Sequence, residues 1–501
     1  MKIPFNNTYI KLPTSFYTKL APTPVKSPEL IIFNSDLAET LGITEVNTDA
    51  SKLAAIFSGN EILQGSEPLA MVYAGHQFGG FSHQLGDGRA NLLGEVVTQD
   101  KMRYDIQLKG SGPTPYSRGG DGRSALGPVL REYLVSEAMH KLGVPTTRSL
   151  AAVTTGEEVA RNSLVPGGIL TRVAKGFVRV GTFEYFSARR DIEAIKTLAD
   201  YEINRHYPEA IDASHRYVEF FKAVVNTQAK LIAKWMSVGF IHGVMNTDNM
   251  SIAGETIDYG PCAFMDDFSH SRIYSSIDHN LRYAYSQQAK IAQWNLVRLA
   301  ETLLPLFVED DEPDEAHIQA AVEIAQEVLK AFQIQYEGYW LENMRKKIGL
   351  ECVEKLQQND EELINELLDC MEKNSADFTL TFYHLSQLEN SQTEADKDIR
   401  KLFDDPEQID TWLVKWRKRL AEESAEQTER QLKMQTTNPV YIPRNHQIEV
   451  AIRAAEDNND FSVFHDLHTV LQTPFTRQKG KERYMLPPLP EEVVHQTFCG
   501  T

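Results

Sequence analysis

Cysteine is scarce in this chain, with four residues among 501 at positions 262, 352, 370 and 499. None forms a CxxC pair or a zinc-type spacing, so disulfide-framework and zinc-module folds are excluded and a reducing compartment is expected. No apolar run approaches the ~20 residues needed to span a bilayer. The N-terminal Met-Lys-Ile-Pro-Phe-Asn-Asn has neither a signal-peptide core nor an Arg-rich transit pattern. Basic residues are also in short supply. The 51 Lys and Arg stand against 70 Asp and Glu, a net charge of −19, which argues against a nucleic-acid partner. With 42% hydrophobic residues and only 24% charged ones, a disordered chain is excluded. The expectation is a cytoplasmic, multidomain globular protein with no membrane partner.

The charge is unevenly placed. Residues 1–300 carry 30 basic and 30 acidic side chains, whereas 301–501 carry 21 and 40, so the whole excess lies in the second part. Glycine is skewed the other way: 18 of 29 fall between Gly75 and Gly181, and four lie beyond residue 300. Such a cluster marks tight loops rather than helices. Beyond Pro305 and the acidic stretch Glu309–Glu315, apolar residues at 321, 324, 325, 328, 329 and 332 follow helical spacing. The same reading covers Glu361–Glu372 and Trp412–Glu429. A mixed α/β portion followed by a mainly helical, acidic C-terminal region is therefore expected. The boundaries are an N-terminal extension over 1–70, a core over 71–305 and the helical region over 306–501.

Asn91–Thr98 and Arg103–Lys109 read as strands. A helix then starts around Pro128 and stops at Gly143 and Pro145. Glu132 and Glu137 flank its apolar stripe, and periodicity does not choose between them. Glycine loops bracket the strands: Gln84-Leu-Gly-Asp-Gly-Arg-Ala-Asn91 before, and Gly110 to Arg123 after. Such loops, with an Arg and a strand-end Lys, suit a nucleoside triphosphate, because backbone N–H groups approach phosphates while cations neutralise them. Plain hairpin turns are the alternative. Walker A and helix-opening GxGxxG motifs are absent.

The segment Gly239-Phe-Ile-His-Gly-Val-Met-Asn-Thr-Asp-Asn-Met-Ser-Ile252, followed by Ile257-Asp-Tyr-Gly-Pro261, follows the spacing of a kinase catalytic loop and its metal-binding Asp-x-Gly turn. His242, Asn249 and Asp258 occupy three of the expected places. The catalytic-base place holds Val244, whose apolar side chain cannot take a proton; Asp248 stands instead just before Asn249. Asn249 and Asp258 suit a hard cation such as Mg²⁺, and an Asn/Asp-rich surface turn is the alternative. His76 and His83 lack a third ligand and read as loop histidines. The basic run Lys415–Arg419 reads as helical ion pairing with Glu422, Glu423 and Glu426.

Taken together, Tyr73-Ala-Gly-His-Gln-Phe-Gly79, the two glycine loops, His242 to Asn249, Asp258-Tyr-Gly-Pro261, Asn438-Pro-Val-Tyr-Ile-Pro-Arg-Asn445 and the terminal Phe498-Cys-Gly-Thr501 resemble the selenoprotein O family over most of the chain. That resemblance implies a protein-kinase-like (pseudokinase) α/β core that binds ATP in a flipped orientation and transfers AMP to Ser, Thr or Tyr hydroxyls of proteins. Some family members are described as using UTP with Mn²⁺. By the same resemblance, Gly86, Gly88, Arg89, Asp121 and Gly122 contact nucleotide, and Lys109 holds phosphate while pairing with Glu132. Arg172 and Arg179, on an alternating segment over 169–180, complete a phosphate clamp. Asn249 and Asp258 ligate Mg²⁺, Asp258 also facing the nucleotide, and Asp248 is the general base. Cys499 matches the place where some members carry selenocysteine, and a redox pair with Cys262 is hypothesised; Cys352 and Cys370 read as core or surface thiols. The rival readings are a conventional phosphotransferase and an inactive nucleotide-binding scaffold. A monomer is compatible with the sequence.

Overall fold

The computed structural model of the protein describes residues 1–45, 49–308, 314–351 and 357–497. Most of the acidic stretch at 309–315, together with Cys352, Cys499 and the terminal motif at 498–501, lies outside them.

The chain is a mixed α/β fold built on an antiparallel sheet, followed by a helical C-terminal region. The strands are β1 (Tyr17–Lys19), β2 (Glu29–Phe33), β3 (Leu69–Met71), β4 (Gly75–Gln77), β5 (Gly80–Ser82), β6 (Ala90–Val97), β7 (Arg103–Lys109), β8 (Ser124–Ala125), β9 (Arg148–Ala160), β10 (Leu164–Ala174), β11 (Phe240–Ile241) and β12 (Ala263–Phe264). Eight of them form one sheet in the order β1-β3-β6-β7-β10-β9-β2, with β8 beside β10. The N-terminal segment thus supplies both ends of that order. β4–β5 and β11–β12 are separate hairpin-like pairs.

Alternation along β7 decides what each face does, because successive side chains of a strand point to opposite sides. Ile106 and Leu108 are fully buried against Val96, Ile169, Val173 and the apolar sides of the helices Ser35–Thr40 and Ala50–Phe57. Asp105, Gln107 and Lys109 face the other way, each engaged by a charged partner: Arg205, Arg172 and Glu132 respectively. One face of a central strand is therefore a row of buried polar groups, which is tolerable only when each is paired.

The helix Leu126–Lys141 crosses this polar face. Pro128 lies in its first turn, and Gly143 at φ +73 closes its end as Val144 N donates to Met139 O over 2.9 Å. The sequence suggests one apolar stripe, yet residues from Leu126 to Met139 are buried almost without a break. The C-terminal region covers the far side: Tyr133 meets Phe464 edge-on at 5.7 Å, and Arg131 Nη1 donates to Asn445 Oδ1 over 2.6 Å.

Further along, the helix Glu315–Lys347 packs on Arg216–Ser237. The helical spacing at 412–429 is broken: one helix, Pro406–Leu420, ends and another, Gln427–Gln435, begins. Glu422 and Glu423 follow the first C-terminus, where carboxylates oppose the helix dipole. The basic run pairs mostly with other helices rather than with its own: Lys415 with Glu366, Arg417 with Asp396, and Arg419 with both Asp360 and Glu423. Trp416 in its midst is fully buried. No described helix is long and apolar enough to cross a membrane.

Glu202 is buried beside Asp105 and Arg205, and neither of its carboxyl oxygens has a hydrogen-bond partner. Burial, reinforced by Asp105 and Glu95 against the pull of Arg205, pushes its carboxyl up to about 8. An acid whose folded value is raised stabilises the fold fully below its unfolded value of ~4.3, and that stabilisation is lost as pH rises through about 8. Glu202→Gln is therefore expected to be more stable than the parent at pH 8 by ~1–3 kcal/mol, with little difference at pH 4.5. Thermal melts at both pH values test this; an equal offset at the two would refute it.

Candidate active site

Lys109 ends β7, Arg172 lies on β10 directly opposite Gln107, and Arg179 stands just before the helix Val180–Ser187. Strand β10 ends at Ala174, so the alternating segment read over 169–180 is a strand only in its first half. Arg179 is held instead by a backbone bridge to Ser251. Both arginines are buried, at 3% and 2% exposure, unlike the surface arginines that sequence statistics favour.

What brings the three cations together is Asp258. The pairing of β11 with β12 closes the loop between them, and His242 Nε2 lies 2.9 Å from Ile257 O, stacked on Trp235. Asp258 takes φ +59, a conformation that Asp tolerates better than most residues. Its Oδ1 accepts from Arg172 Nη1 over 2.7 Å and lies 3.4 Å from Lys109 Nζ; its Oδ2 accepts from Arg179 Nη1 over 2.9 Å. Burial opposes ionisation of this carboxyl, but Arg172, Arg179 and Lys109 outweigh it and hold the group well below the usual carboxylate range.

Glu132 Oε2 lies 2.5 Å from Lys109 Nζ, and Oε1 lies 3.4 Å from Arg172 Nη1. Glu137 faces elsewhere and binds Arg148 in a bidentate pair at 2.8 and 2.7 Å. Three cations meet the carboxylates of Asp258 and Glu132, and the buried carboxyls of Asp87 and Asp248 also face Arg179. Asp258 has the most exposed side chain of the five at 21%, followed by Lys109 at 13%, with the others at 3–4%. The cluster is thus mostly buried and opens to solvent at Asp258 and Lys109, where a cation is within reach of an anion.

Asp248 lies ten residues before Asp258, and Arg179 links the two by donating to Asp248 O over 2.8 Å. The hairpin β4–β5 packs over this carboxyl. Gln77 Nε2 donates to Asp248 Oδ2 over 3.1 Å, Oδ1 is buried without a partner, and a Cβ at Gly75 would fall 2.4 Å from Oδ1. Burial pushes the Asp248 carboxyl up to about 6, against the opposing effects of Gln77 and Arg179. The hairpin is fixed by Phe78 N to Asn246 Oδ1 at 3.0 Å and by His76 N to Thr247 Oγ1 at 2.7 Å, while Glu184 contacts both His76 and Thr247. His76 thus lies on β4 rather than in a loop and its ring meets Glu184, while His83 is exposed. Gln77 and Glu184 carry no signal of their own in the sequence. Their partners lie 171 and 63 residues away, and only the Tyr73–Gly79 motif hinted at a role.

Asn249 Nδ2 donates to Val244 O over 3.0 Å, which turns the amide oxygen the other way. Asp258 Oδ2 accepts from Arg179, and Asn249 and Asp258 both carry oxygen donors of the kind a hard divalent cation takes. Among the described residues no group of three or more His, Cys, Asp or Glu side chains is set to hold a metal.

The glycine loops are shaped first by each other. Thr114 Oγ1 donates to Asp87 O over 2.8 Å, Gly112 N to Gly122 O over 3.0 Å, and Gly110 N to Arg89 O over 2.7 Å. A Cβ at Gly86 (φ +89) would lie 2.5 Å from the Tyr116 ring, and one at Gly88 2.8 Å from Tyr116 O. A Cβ at Gly122 (φ +65) would fall 2.2 Å from the Gly112 carbonyl. Gly86→Ala is accordingly expected to destabilise the fold by about 1–3 kcal/mol even without ligand, as overpacking plus backbone strain. Chemical denaturation measures it, and an unchanged midpoint would make the glycine a ligand feature alone. Arg89 is half-buried beside this seam. Asp121 lies at the exposed turn, where Arg161 Nη1 binds it at 2.9 Å.

Cys262 and Cys370 are buried. Thr497, the last described residue, donates from Oγ1 to Pro261 O over 2.6 Å and from N to Tyr274 O over 2.8 Å. Thr497 thus lies against the segment that follows Asp258.

The family whose model is described as protein adenylyltransferase SelO matches residues 1–472. This chain belongs to the SelO family. Similar proteins named protein nucleotidyltransferase YdiU include that of Rhizobium leguminosarum bv. trifolii, 53% identical over 99% of this chain and 97% of its own length. That of Rhodopseudomonas palustris strain BisB18 is 52% identical, with 99% of each chain covered. That of Bradyrhizobium diazoefficiens is 53% identical, again over 99% of each.

Proposed function

We propose that this chain is a protein adenylyltransferase that moves AMP from ATP onto hydroxyl groups of acceptor proteins. The observation that carries the reading is the constellation of Lys109, Arg172 and Arg179 on one carboxylate, Asp258, with the backbone carbonyl of Asp248 tied to it through Arg179. The strand-end Lys paired with a helix Glu, and the Asp-Tyr-Gly turn, support a kinase-like core over 71–305. The first 70 residues are its extension and 306–501 a helical support.

In this mechanism Lys109, Arg172 and Arg179 bind the phosphates, with Gly86, Gly88, Arg89, Asp121 and Gly122 along the nucleotide. Asn249 and Asp258 hold a divalent cation, Mg²⁺ or Mn²⁺, which when bound supplies further charge neutralisation at the phosphates. Asp248 takes the proton of the acceptor hydroxyl as its oxygen forms a bond to the α-phosphorus. The bond from that phosphorus to the β-phosphate bridging oxygen breaks, and pyrophosphate leaves. The cations stabilise the charge that builds on the phosphoryl oxygens. Val244 at the usual kinase-base position leaves proton transfer to Asp248.

ATP labelled at the α- or the γ-phosphate, incubated with the protein, Mg²⁺ and lysate proteins, decides the class of transfer. Retention of the α label alone supports adenylylation, the γ label alone a phosphotransferase, and neither a scaffold. UTP with Mn²⁺ in place of ATP measures the UMP alternative. A Cys262–Cys499 disulfide that ties the tail to the segment after Asp258 is part of this reading. Non-reducing mass mapping that finds both thiols unlinked after oxidation would remove it.

A further inference from the structure

A groove of about 630 Å³ runs between the tip of the β4–β5 hairpin and the segment 277–287. It is separate from the Lys109–Asp258 cluster, yet its hairpin wall belongs to the Asp248 environment. Phe78 lines it, and Phe78 N is bonded to Asn246 Oδ1 while the preceding Gln77 holds Asp248 Oδ2.

The opposite wall presents apolar side chains to solvent. Ile277 is 61% exposed and Leu281 45%. Leu281 sits at φ +55, a strained conformation for a bulky residue. The turn holding it is fixed by Asp278, whose two oxygens accept from Arg282 N and Tyr283 N at 2.9 and 2.7 Å. The carboxylate is thereby turned inward and is buried. Arg282 reaches along the groove under Gly79, with its guanidinium 4.8 Å from the Trp294 ring centre and its Nε buried without an acceptor. The ionisable groups that a visitor meets are therefore Arg282 and His279 on a rim of Phe78, Ile277 and Leu281. In a chain of net charge −19, this rim is locally cationic and apolar.

We propose that this groove docks an extended segment of the acceptor protein, reading an acidic side chain with Arg282 and an adjacent apolar side chain with Ile277 and Leu281. The inference deepens the protein-acceptor reading above and rests on it. Charge complementarity selects the acidic residue, since Asp278 is already engaged internally and leaves Arg282 without a competing carboxylate from that turn. Alternation along an extended segment would set one side chain against the rim and the next toward solvent.

The test is an array of synthetic peptides, each with a central Ser, Thr or Tyr flanked by Glu and Leu or by Lys and Leu, incubated with α-labelled ATP and Mg²⁺. The parent protein is expected to label the Glu-flanked set at least ~10-fold more efficiently in kcat/KM, the equivalent of one ion pair at a partly desolvated site. Arg282→Glu should reverse that order, chiefly through KM. Leu281→Gly, which relieves the positive φ and so keeps the fold, should weaken labelling of every Leu-bearing peptide by ~3–10-fold, the scale of one partly buried apolar side chain. Thermal melts confirm that both variants are folded. Equal labelling of the two peptide sets by the parent, or an equal loss on both sets in Arg282→Glu, overturns the docking site. So does label that reaches lysate proteins but no peptide. Failure to transfer the α label to peptide and lysate alike refutes the adenylyltransferase reading itself.

Discussion

Asp258→Asn is expected to lower AMP transfer on the order of 10³-fold, the scale reached when a preorganised electrostatic element of a phosphoryl site is removed. The substitution keeps the side chain's shape but cancels the charge that holds Arg172, Arg179 and Lys109 on one point. Glu132 still pairs with Lys109 and Arg172, but Arg179 loses its carboxylate ion-pair partner, and both arginines are nearly fully buried. Breaking such a set costs about 3–5 kcal/mol of stability, so the variant should melt earlier without ligand. The nucleotide-binding cations remain, and ATP alone should restore part of the loss by binding the folded form. Mg²⁺ added with ATP should raise the melting temperature of the parent further but give no increment in the variant. A variant that transfers normally, or that gains as much from Mg²⁺ as the parent, would remove Asp258 from the metal site.

The second large effect is at Asp248. Asp248→Asn is expected to reduce kcat by ~10²–10⁴-fold, the usual worth of a positioned general base, while nucleotide affinity stays within a factor of about two because no phosphate contact is assigned to this side chain. Its surroundings favour a clean measurement. Gly75 leaves room for the side chain, Gln77 can still reach its retained oxygen, and Arg179 binds the backbone carbonyl rather than the carboxyl. Equilibrium binding of a non-hydrolysable ATP analogue, set beside initial rates of α-label transfer, separates the two quantities. A loss of binding that matches the loss of rate would make Asp248 a nucleotide contact instead of the base. The two substitutions thus predict opposite patterns: Asp258 governs metal-dependent binding and transfer together, and Asp248 transfer alone.

Much of this was legible from residue order. The strands at 90–97 and 103–109, the helix after Pro128 and the helical acidic C-terminal region follow from alternation, glycine and proline punctuation and 3.6-residue spacing, all local properties. The kinase-like spacing of His242, Asn249 and Asp258 and the displaced acid at 248 are local as well. Where local rules misled, long-range packing or charge intervened. The helix Leu126–Lys141, read with one apolar stripe, is buried almost throughout because Phe464 and Asn445 cover it from more than 300 residues away. Arg179 leaves the strand because Ser251 captures its backbone.

The sequence by itself determined the family and the inventory of chemical groups: glycine loops, a strand-end lysine, two arginines, and an Asn–Asp pair beside a second acid. Only the tertiary structure decided which of them meet. Periodicity left Glu132 and Glu137 equivalent, and the fold separates them, giving one to Lys109 and the other to Arg148. Nor did spacing show that the Tyr73–Gly79 motif closes over Asp248, or that the conspicuous glycines fit one loop against another. The physical reason is that propensity and periodicity act over a few residues. A buried charge, by contrast, is stable only beside a partner that the folded chain delivers from anywhere along its length.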